Sequence, residues 1–241
     1  MKRFIDLSVS SLGLLLGLPI LLPITFLVWV QDLKSPFYIP VRVGKNNKQF
    51  KMIKLRSMVV DADSSGVDST SSNDNRITKI GHIIRKFKLD ELTQLWNVFK
   101  GDMSLVGPRP NVISETNLYT DVEKKLLKVR PGITDLSSII FSDEGDILAN
   151  KNNPDLAYNQ LIRPWKSRLG ILYIENQSTL LDIQLIFLTI IAIFSRKTAI
   201  RWISKKLIDM DANDNIVEIS KREIELYSYP PPGSNKVVTS R

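Results

Sequence analysis

Two adjacent carboxylates, Asp90 and Glu91, are the residues of this sequence best placed to do chemistry. They stand directly before an apolar helical pattern, in the stretch KLDELTQLW. An Asp at such a position is commonly an N-cap, and a Glu in the first turn complements the helix dipole. The same two side chains can instead bind a metal ion or attack a phosphorus atom. Both interpretations place Asp90 at the start of a helix.

Basic residues surround this pair more densely than a helix cap requires. The nearby cations are Lys54, Arg56, Arg85, Lys86 and Lys88. A rigid VGPRP turn presents Arg109, and arginine is the natural bidentate partner of a phosphate. The free N–H groups of a helix N-terminus also bind phosphate. The pattern therefore predicts a site for a phosphorylated substrate.

Carboxylates in a phosphate site repel the substrate unless a cation neutralises them. Mg²⁺ is commonly held by one or two carboxylates together with substrate phosphates. An aspartate can also be the nucleophile itself and form an acyl phosphate. The residues therefore predict Mg²⁺-dependent phosphoryl chemistry, with Asp90 and Glu91 both as catalytic residues and as metal ligands.

The composition favours an anionic partner and removes several kinds of chemistry. The chain has 241 residues, with 33 Lys or Arg against 25 Asp or Glu and a net charge of +8. Because it has no cysteine and a single histidine, His82, disulfides, thiolate nucleophiles and multi-histidine metal sites are excluded. The positive charge would also suit a nucleic-acid-binding protein, but the sequence contains no nucleic-acid-binding motif. We expect no nucleic-acid partner.

An uncharged stretch of 24 residues, 7–30, is long enough to cross a membrane, which takes about 20 residues. A secretory signal is the first alternative, because Lys2 and Arg3 form a basic start. However, the first alanine of the chain is Ala62, and no A-x-A-like cleavage site follows the apolar run. The stretch therefore predicts a retained membrane element.

Pro19 and Pro23 lie in the middle of this stretch and predict a kink or break in its helix. A spanning helix normally shows a bias of Lys and Arg toward its cytoplasmic flank. Here both flanks are basic, with Lys2, Arg3, Lys34, Arg42, Lys45 and Lys48. We therefore favour a re-entrant hairpin that breaks at Pro19 and Pro23, and a single kinked span is the alternative.

The rest of the chain shows helical periodicity and a few strand signals. Residues 35–44 and 49–60 predict two strands joined by a turn, and residues 61–75 a mobile loop. A second apolar stretch, 180–194, is interrupted by Asp182 and is too short to span. The basic segment after it contains Trp202, which suits either a membrane-surface helix or a core helix with a solvated end.

Residues 74–110, DNRITKIGHIIRKFKLDELTQLWNVFKGDMSLVGPRP, resemble the signature block of the bacterial sugar transferases, the monotopic phosphoglycosyl transferases. The block contains D-x-R-I-T-x-I-G, R-x-x-x-x-D-E, Q-L-x-N-V, G-D-M-S and V-G-P-R-P in that order. The segments RVGKNNKQFKMIKLRSM, RPGIT and YIENQSTLLDIQLIFLTI resemble further parts of the family. The resemblance extends from Met1 to Ile200, and the chain after Lys206 matches no family pattern.

The resemblance implies that sugar-1-phosphate passes from a UDP-sugar to a polyprenyl (undecaprenyl) phosphate, with release of UMP. Such a step initiates the assembly of a surface polysaccharide or glycan. It implies that Asp90 forms a covalent aspartyl phosphosugar intermediate and that Glu91 assists Asp90 and Mg²⁺. The candidate substrate-binding residues are Lys54, Arg56, Arg76, Arg85, Arg109, Pro110 and Arg130.

Together, the patterns and the resemblance predict an α/β fold that is mostly helical. We expect a re-entrant membrane helix-break-helix in residues 1–35, a compact cytosolic catalytic domain with amphipathic membrane-surface helices in residues 36–208, and a C-terminal extension with a disordered tail in residues 209–241. The expected location is the inner (cytoplasmic) membrane of a bacterium, with the catalytic domain on the cytoplasmic face. The expected partners are the UDP-sugar, the polyprenyl phosphate and the phospholipid bilayer, and a homo-oligomer stays open.

The sequence departs from the family pattern at several positions. Leu18 stands where a Ser is common before the proline, and Thr93 replaces the proline of D-E-L-P-Q. Asp135 replaces the second glycine of P-G-I-T-G, and Gly170 stands where an acidic residue is common. The region after Asp135 is expected to face the nucleotide sugar, so the sugar cannot be inferred from the family. A membrane-anchored scaffold with a degenerate site is the alternative function.

Overall fold

The computed structural model describes residues 1–240, in which helices dominate and the strands are short. The α-helices are α1 (Lys2–Val30), α2 (Lys79–Lys86), α3 (Leu89–Leu92), α4 (Leu95–Lys100), α5 (Ile113–Thr116), α6 (Leu136–Ile140), α7 (Glu144–Leu148), α8 (Pro154–Ala157), α9 (Arg163–Glu175), α10 (Thr179–Phe194), α11 (Arg196–Asp209) and α12 (Asp214–Lys221). The strands are β1 (Phe37–Tyr38), β2 (Val41–Val43), β3 (Gln49–Lys51), β4 (Lys54–Leu55), β5 (Ser104–Val106) and β6 (Gly132–Thr134). Three 3₁₀ helices (Lys45–Asn47, Ala62–Ser65 and Glu123–Lys128) and a π-helix (Tyr158–Ile162) complete the secondary structure.

The N-terminal apolar segment forms one helix, α1, with Pro19 and Pro23 inside it. The predicted separation into two helices is therefore not observed, and the re-entrant hairpin is not confirmed. A proline removes a single backbone donor and bends a helix, so the turns on either side can remain helical. Among residues 1–240, α1 is the one helix that is long and apolar enough to cross a membrane.

Both ends of α1 are fastened to the same body of the protein. At its start, Lys2 Nζ lies 2.7 Å from Asp182 Oδ2 on α10. Just beyond its end, Asp32 Oδ2 lies 2.5 Å from Arg56 Nη1, directly after β4. The helix thus lies along the folded domain rather than projecting away from it.

The strands form three two-stranded pairs. The antiparallel pair of β2 and β3 is joined by the predicted turn, and β1 and β4 extend the same hairpin by pairing Tyr38 with Lys54. Strands β5 and β6 are parallel, and the chain between them contains α5. The predicted hairpin is confirmed, and it brings Lys54 to the edge that faces α3.

The core forms between the helices of the second half of the chain. Its fully buried side chains include Leu136 of α6, Trp165 of α9 and Ile203 of α11. The apolar pattern that follows Asp90 and Glu91 is only partly buried on α4, where Leu95 is buried whereas Trp96 is 46% exposed. The periodicity identified the helix, but α1 and the hairpin decide which of its faces is covered.

The C-terminal tail was predicted to be disordered, and the structure instead packs it against α9. The ring of Tyr229 stacks on Trp165 at 4.5 Å between centroids, and the Arg168 guanidinium lies 4.7 Å from the Tyr229 ring. The Gln160 side chain donates to the Val238 carbonyl at 2.7 Å. Aromatic stacking stabilises the ordered tail. The composition of the tail alone does not reveal this contact.

Helix α11 combines the two alternatives that the sequence left open. Ala199, Ile203 and Leu207 are buried, whereas Trp202 is 64% exposed between basic residues. The helix therefore packs one face on the core and presents an indole and several cations to the surroundings.

The structure gives Asp135, which replaces a glycine of the family pattern, a local structural role. Asp135 is the N-cap of α6, and its carboxylate accepts a hydrogen bond from the Ser138 backbone N–H at 2.7 Å. The Ser138 hydroxyl accepts a hydrogen bond from the Asp135 backbone N–H, which completes a capping box. Asp135 is 2% exposed and stabilises the first turn of α6.

Candidate active site

The carboxylate pair lies on α3, a helix of four residues. The residue before this helix, Lys88, adopts a left-handed conformation with φ 52° and is the N-cap. The interpretation of Asp90 as the N-cap is therefore wrong, because the helix begins at Leu89, two residues earlier than an Asp90 cap would require. Glu91 does lie in the first turn, as predicted. So short a helix adds little dipole for phosphate binding.

Hydrogen bonds tie α3 and α4 to the strand that carries Lys54. The Thr93 hydroxyl lies 3.0 Å from the carbonyl of Ile53 and 3.0 Å from that of Asp90. On α4, the fully buried side chain of Asn97 accepts from the Ile53 N–H at 2.9 Å and donates to the Lys51 carbonyl at 2.7 Å. These contacts fix the distance between the two elements.

Asp90 forms an ion pair with Lys54, in which Nζ lies 2.9 Å from Oδ2. The two side chains are 12% and 18% exposed. Burial alone would raise the pKa of Asp90, but the charges of Lys54, Arg109 and Arg85 outweigh burial and hold that pKa below its ordinary value. The carboxylate of Asp90 is therefore ionised at neutral pH.

Glu91 contacts Arg109, whose Nη1 lies 3.3 Å from Oε1. Burial would lower the pKa of Arg109, but the carboxylates of Glu91, Glu144 and Asp90 raise it overall, so the guanidinium stays charged. With Lys54 on one side and Arg109 on the other, each carboxylate of the pair has its own cation.

Close packing of two loops presents Arg109. Gly107 begins the turn that carries Arg109, and Gly132 lies opposite it at the start of β6. A Cβ on Gly132 would lie 2.1 Å from the Gly107 nitrogen, and a Cβ on Gly107 would lie 2.5 Å from the Arg130 carbonyl. Both positions therefore require glycine.

The other predicted basic residues divide into two groups. Arg85 donates to the Ser57 hydroxyl at 3.0 Å, and its charge acts on Asp90, so it belongs to the site. Arg76 binds Asp74 at 2.7 Å and the Val67 carbonyl at 3.2 Å, and so organises the loop predicted to be mobile.

Arg56 and Arg130 make contacts away from the carboxylate pair, and Pro110 lines a cavity. The Arg56 guanidinium is 7% exposed and engages Asp32 and the carbonyl of Ser35. Arg130 donates to the Gly101 carbonyl at 2.9 Å. Pro110 lines a small cavity beside Arg109. The tertiary structure thus brings Lys54, Arg85 and Arg109 to the carboxylates and uses Arg56 and Arg130 for internal contacts.

Two charged residues near the site were not predicted from the sequence. Glu144 opens α7 and pairs with Lys166 of α9, and its charge also acts on Arg109. Neither residue lies in a family motif. The signal available was indirect, since Glu144 falls in the segment after Asp135 where the sequence departs from the family.

The carboxylate pair is compatible with Mg²⁺ by its donor set. Within residues 1–240 there is no cluster of three or more His, Asp or Glu side chains that could hold a metal ion alone. Mg²⁺ usually takes one or two protein carboxylates and completes its shell with phosphates and water. Asp90 and Glu91 supply such a pair.

The fold and the site together define a class of protein. It is a mostly helical protein with a long apolar N-terminal helix fastened beside two adjacent carboxylates, each paired with a cation. Such a site is suited to substrates that carry phosphate.

Comparison with known proteins gives the family. A match to the bacterial sugar transferase family covers residues 1–196, and the chain belongs to that family. Residues 197–241, which include most of α11, α12 and the packed tail, lie outside the match.

Several relatives have informative names. The UDP-glucose:undecaprenyl-phosphate glucose-1-phosphate transferase of Klebsiella pneumoniae is 38% identical over 202 residues, which are 82% of this chain and 41% of that protein. The UDP-galactose-lipid carrier transferase of Erwinia amylovora is 34% identical over 214 residues, which are 83% of this chain and 41% of that protein. The exopolysaccharide production protein ExoY of Rhizobium meliloti is 33% identical over 207 residues, which are 80% of this chain and 84% of that protein. The chain thus spans less than half the length of the first two relatives.

Proposed function

We propose that this protein transfers sugar-1-phosphate from a UDP-sugar to polyprenyl (undecaprenyl) phosphate and releases UMP. The observation that carries the proposal is the pairing of Asp90 with Lys54 and of Glu91 with Arg109 in a bacterial sugar transferase. The substrate classes come from the names of the relatives, which specify undecaprenyl phosphate and UDP-sugars. The product would initiate surface polysaccharide or glycan assembly.

The reaction would proceed in two displacements at one phosphorus atom. A carboxylate oxygen of Asp90 attacks the sugar-linked phosphorus, the new O–P bond forms, and UMP leaves with the electrons of the broken P–O bond. A phosphate oxygen of the polyprenyl phosphate then attacks the same phosphorus, and Asp90 leaves as a free carboxylate. Because its pKa is held low, Asp90 needs no general base before the first step.

The neighbouring groups neutralise the charge of the phosphates. Arg109 would exchange its contact with Glu91 for a phosphate of the donor. A guanidinium can bind a phosphate through two parallel hydrogen bonds. Lys54 and Arg85 would stabilise the charge that gathers on the transferred phosphoryl group. Asp90 and Glu91 would hold Mg²⁺ together with the substrate phosphates, and the bound ion would act as a Lewis acid.

The apolar elements would place this site at a membrane. Because both ends of α1 are fastened to the same domain, we propose a re-entrant arrangement whose break would lie at Pro19 and Pro23. Phe187 and Phe194 of α10 and Trp202 of α11 are more than half exposed and suit the lipid interface. The location would be the bacterial inner membrane, with the site on the cytoplasmic face.

The direct test is turnover in detergent. The purified protein is incubated with polyprenyl phosphate, Mg²⁺ and a panel of UDP-sugars, and UMP release is measured. We expect one or a few donors to release UMP well beyond one equivalent of the protein, and only when the lipid is present in excess. A membrane-anchored scaffold with a degenerate site would release no UMP from any donor.

A further inference from the structure

An ion pair outside the carboxylate pair lies close to Arg109. Lys166 Nζ contacts Glu144 Oε2, and the Lys166 and Glu144 side chains are 13% and 32% exposed. Lys166 also lies 5.6 Å from the centre of the Tyr158 ring. Withdrawing an ion pair from water costs desolvation energy, so such a pair contributes little to stability. Its position near Arg109 therefore suggests a role in substrate binding.

Electrostatics connect this pair to the reaction site. The carboxylate of Glu144 is one of three that raise the pKa of Arg109, together with Glu91 and Asp90. Burial would raise the pKa of Glu144 itself, but Lys166, Arg109 and Lys54 hold it below its ordinary value. Glu144 therefore carries a negative charge that interacts electrostatically with Arg109 and Lys54, the cations expected to hold the donor phosphates.

A cavity joins the two regions. Its lining includes Arg109, Ser137, Tyr158 and Lys166. Tyr158 begins the π-helix, an arrangement often found at functional sites. Burial, with Glu144 nearby, raises the pKa of Tyr158, so its hydroxyl stays protonated. A donor whose phosphates reach Arg109 would extend its next chemical group along this wall.

The carboxylate of Glu144, which pairs with the cavity-lining Lys166, suits hydroxyl groups better than phosphates. A carboxylate repels a phosphate but accepts hydrogen bonds from hydroxyl groups, and Lys166 keeps this carboxylate ionised and oriented. Glu144 is also not part of a three-ligand metal cluster in residues 1–240. A sugar ring and a ribose share this hydroxyl chemistry.

We propose that Glu144, held by Lys166, is a specificity-determining residue that accepts hydrogen bonds from hydroxyl groups of the donor beyond its phosphates. The inference rests on the proposed transferase function and extends it to residues outside the family motifs. It places recognition in the segment after Asp135, where this sequence departs from its family. Lys166 is a positioning residue that acts through Glu144.

The test compares two matched substitutions. Glu144→Gln removes the charge and keeps the shape, and Glu175→Gln makes the same change in the exposed Lys125–Glu175 pair. We expect Glu144→Gln to raise the KM for the UDP-sugar about tenfold and to change kcat less, because the reacting groups are intact. Glu175→Gln should match the parent in both constants. If Glu144→Gln fails to fold, Glu144→Asp, which keeps the charge next to Lys166, carries the same readouts.

Inhibition by nucleotides distinguishes the two sources of hydroxyl groups. If Glu144 binds the ribose, the inhibition constant of UMP should rise in Glu144→Gln, and the preference for UMP over 2′-deoxy-UMP should disappear. If Glu144 binds the sugar, UMP inhibition should be unchanged, while the ranking of epimeric UDP-sugars shifts. Either result supports the inference.

An unchanged KM, donor ranking and UMP inhibition in folded Glu144→Gln would overturn the inference while leaving the proposed function intact. A parent protein that releases no UMP from any donor would instead overturn the proposed function, and the inference would be lost with it.

Discussion

The ammonium of Lys54 lies 2.9 Å from the carboxylate of Asp90, although 36 positions separate them in the chain. One residue comes from the edge of a β-hairpin and the other from the first turn of a four-residue helix. This ion pair decides the protonation state of the proposed nucleophile, because burial and Lys54 act on its pKa in opposite directions.

Replacing Lys54 should therefore shift the pH dependence of turnover. Activity falls as the pH drops through the pKa of Asp90, since the protonated acid is a poor nucleophile. In Lys54→Met the positive charge that lowers the pKa of Asp90 is lost, so burial raises that pKa. The acidic limb of kcat/KM should therefore move to higher pH by about one unit. Lys54→Arg keeps the charge and serves as the control. An acidic limb at the parent position in Lys54→Met would show that Asp90 does not titrate in this profile.

Asp90→Asn should abolish turnover without unfolding the protein. The N-cap of α3 is Lys88, so the substitution removes no cap, and the amide oxygen can still accept from Lys54. With a donor labelled in its sugar-linked phosphate and no lipid, the parent should retain label on the protein and Asp90→Asn should retain none. Glu91→Gln should lose at least about 100-fold in rate. Turnover near the parent rate in folded Asp90→Asn would exclude the covalent mechanism.

Removal of divalent cations should stop the reaction. Two carboxylates and the phosphates of two substrates repel one another unless a cation lies between them. Excess chelator should reduce UMP release to background, and added Mg²⁺ should restore it. Thermal unfolding of the donor-free protein should change little on chelation, because Lys54 and Arg109 already balance the carboxylates. Full turnover in chelator would contradict a role for the ion.

Single cysteines can test the membrane topology, because the chain has none of its own. Phe4 is 74% exposed near the start of α1, and Lys34 follows its end. In the re-entrant arrangement Phe4→Cys and Lys34→Cys should both react with a membrane-impermeant reagent from the cytoplasmic side only. Replacing Pro19 and Pro23 with Leu should favour a continuous span. Labelling of the two parent-background positions from opposite sides would indicate a plain spanning helix.

The two groups of arginines should respond differently to substitution. Arg56→Gln breaks the buried contact that fastens the end of α1, so we expect the midpoint of thermal unfolding to fall by at least about 3 °C. Arg109→Gln should instead lower turnover by about 100-fold and leave the midpoint nearly unchanged. Arg130→Gln, whose side chain is exposed and binds one backbone carbonyl, is the control for both measurements. If Arg56→Gln is as stable as the parent but inactive, Arg56 takes part in substrate binding.

The sequence by itself identified the elements that depend on local order. The carboxylate pair, the turn that carries Arg109 and the apolar helix are all visible within short windows. Gly101 ends α4 with φ 93°, a conformation that a glycine in this local position favours. Such features are determined by neighbouring residues, through backbone sterics and periodicity.

Only the tertiary structure decided which of the many cations meet the carboxylates. Lys54 and Arg56 are two positions apart on the same segment, yet the first contacts Asp90 and the second contacts Asp32. In an extended strand, residues two positions apart point to the same face, so the local pattern gives Lys54 and Arg56 the same expectation. Here the packing of α1 and α3 gives each residue a different partner. The sequence pattern could not rank them.

The tail and the Glu144–Lys166 pair were also decided by tertiary packing. Tyr229 reaches Trp165 from 64 positions away, and Glu144 meets Lys166 across two separate helices. Contacts between distant parts of the chain leave no periodic signal, because their energy comes from shape and charge complementarity that exists only after the chain has folded.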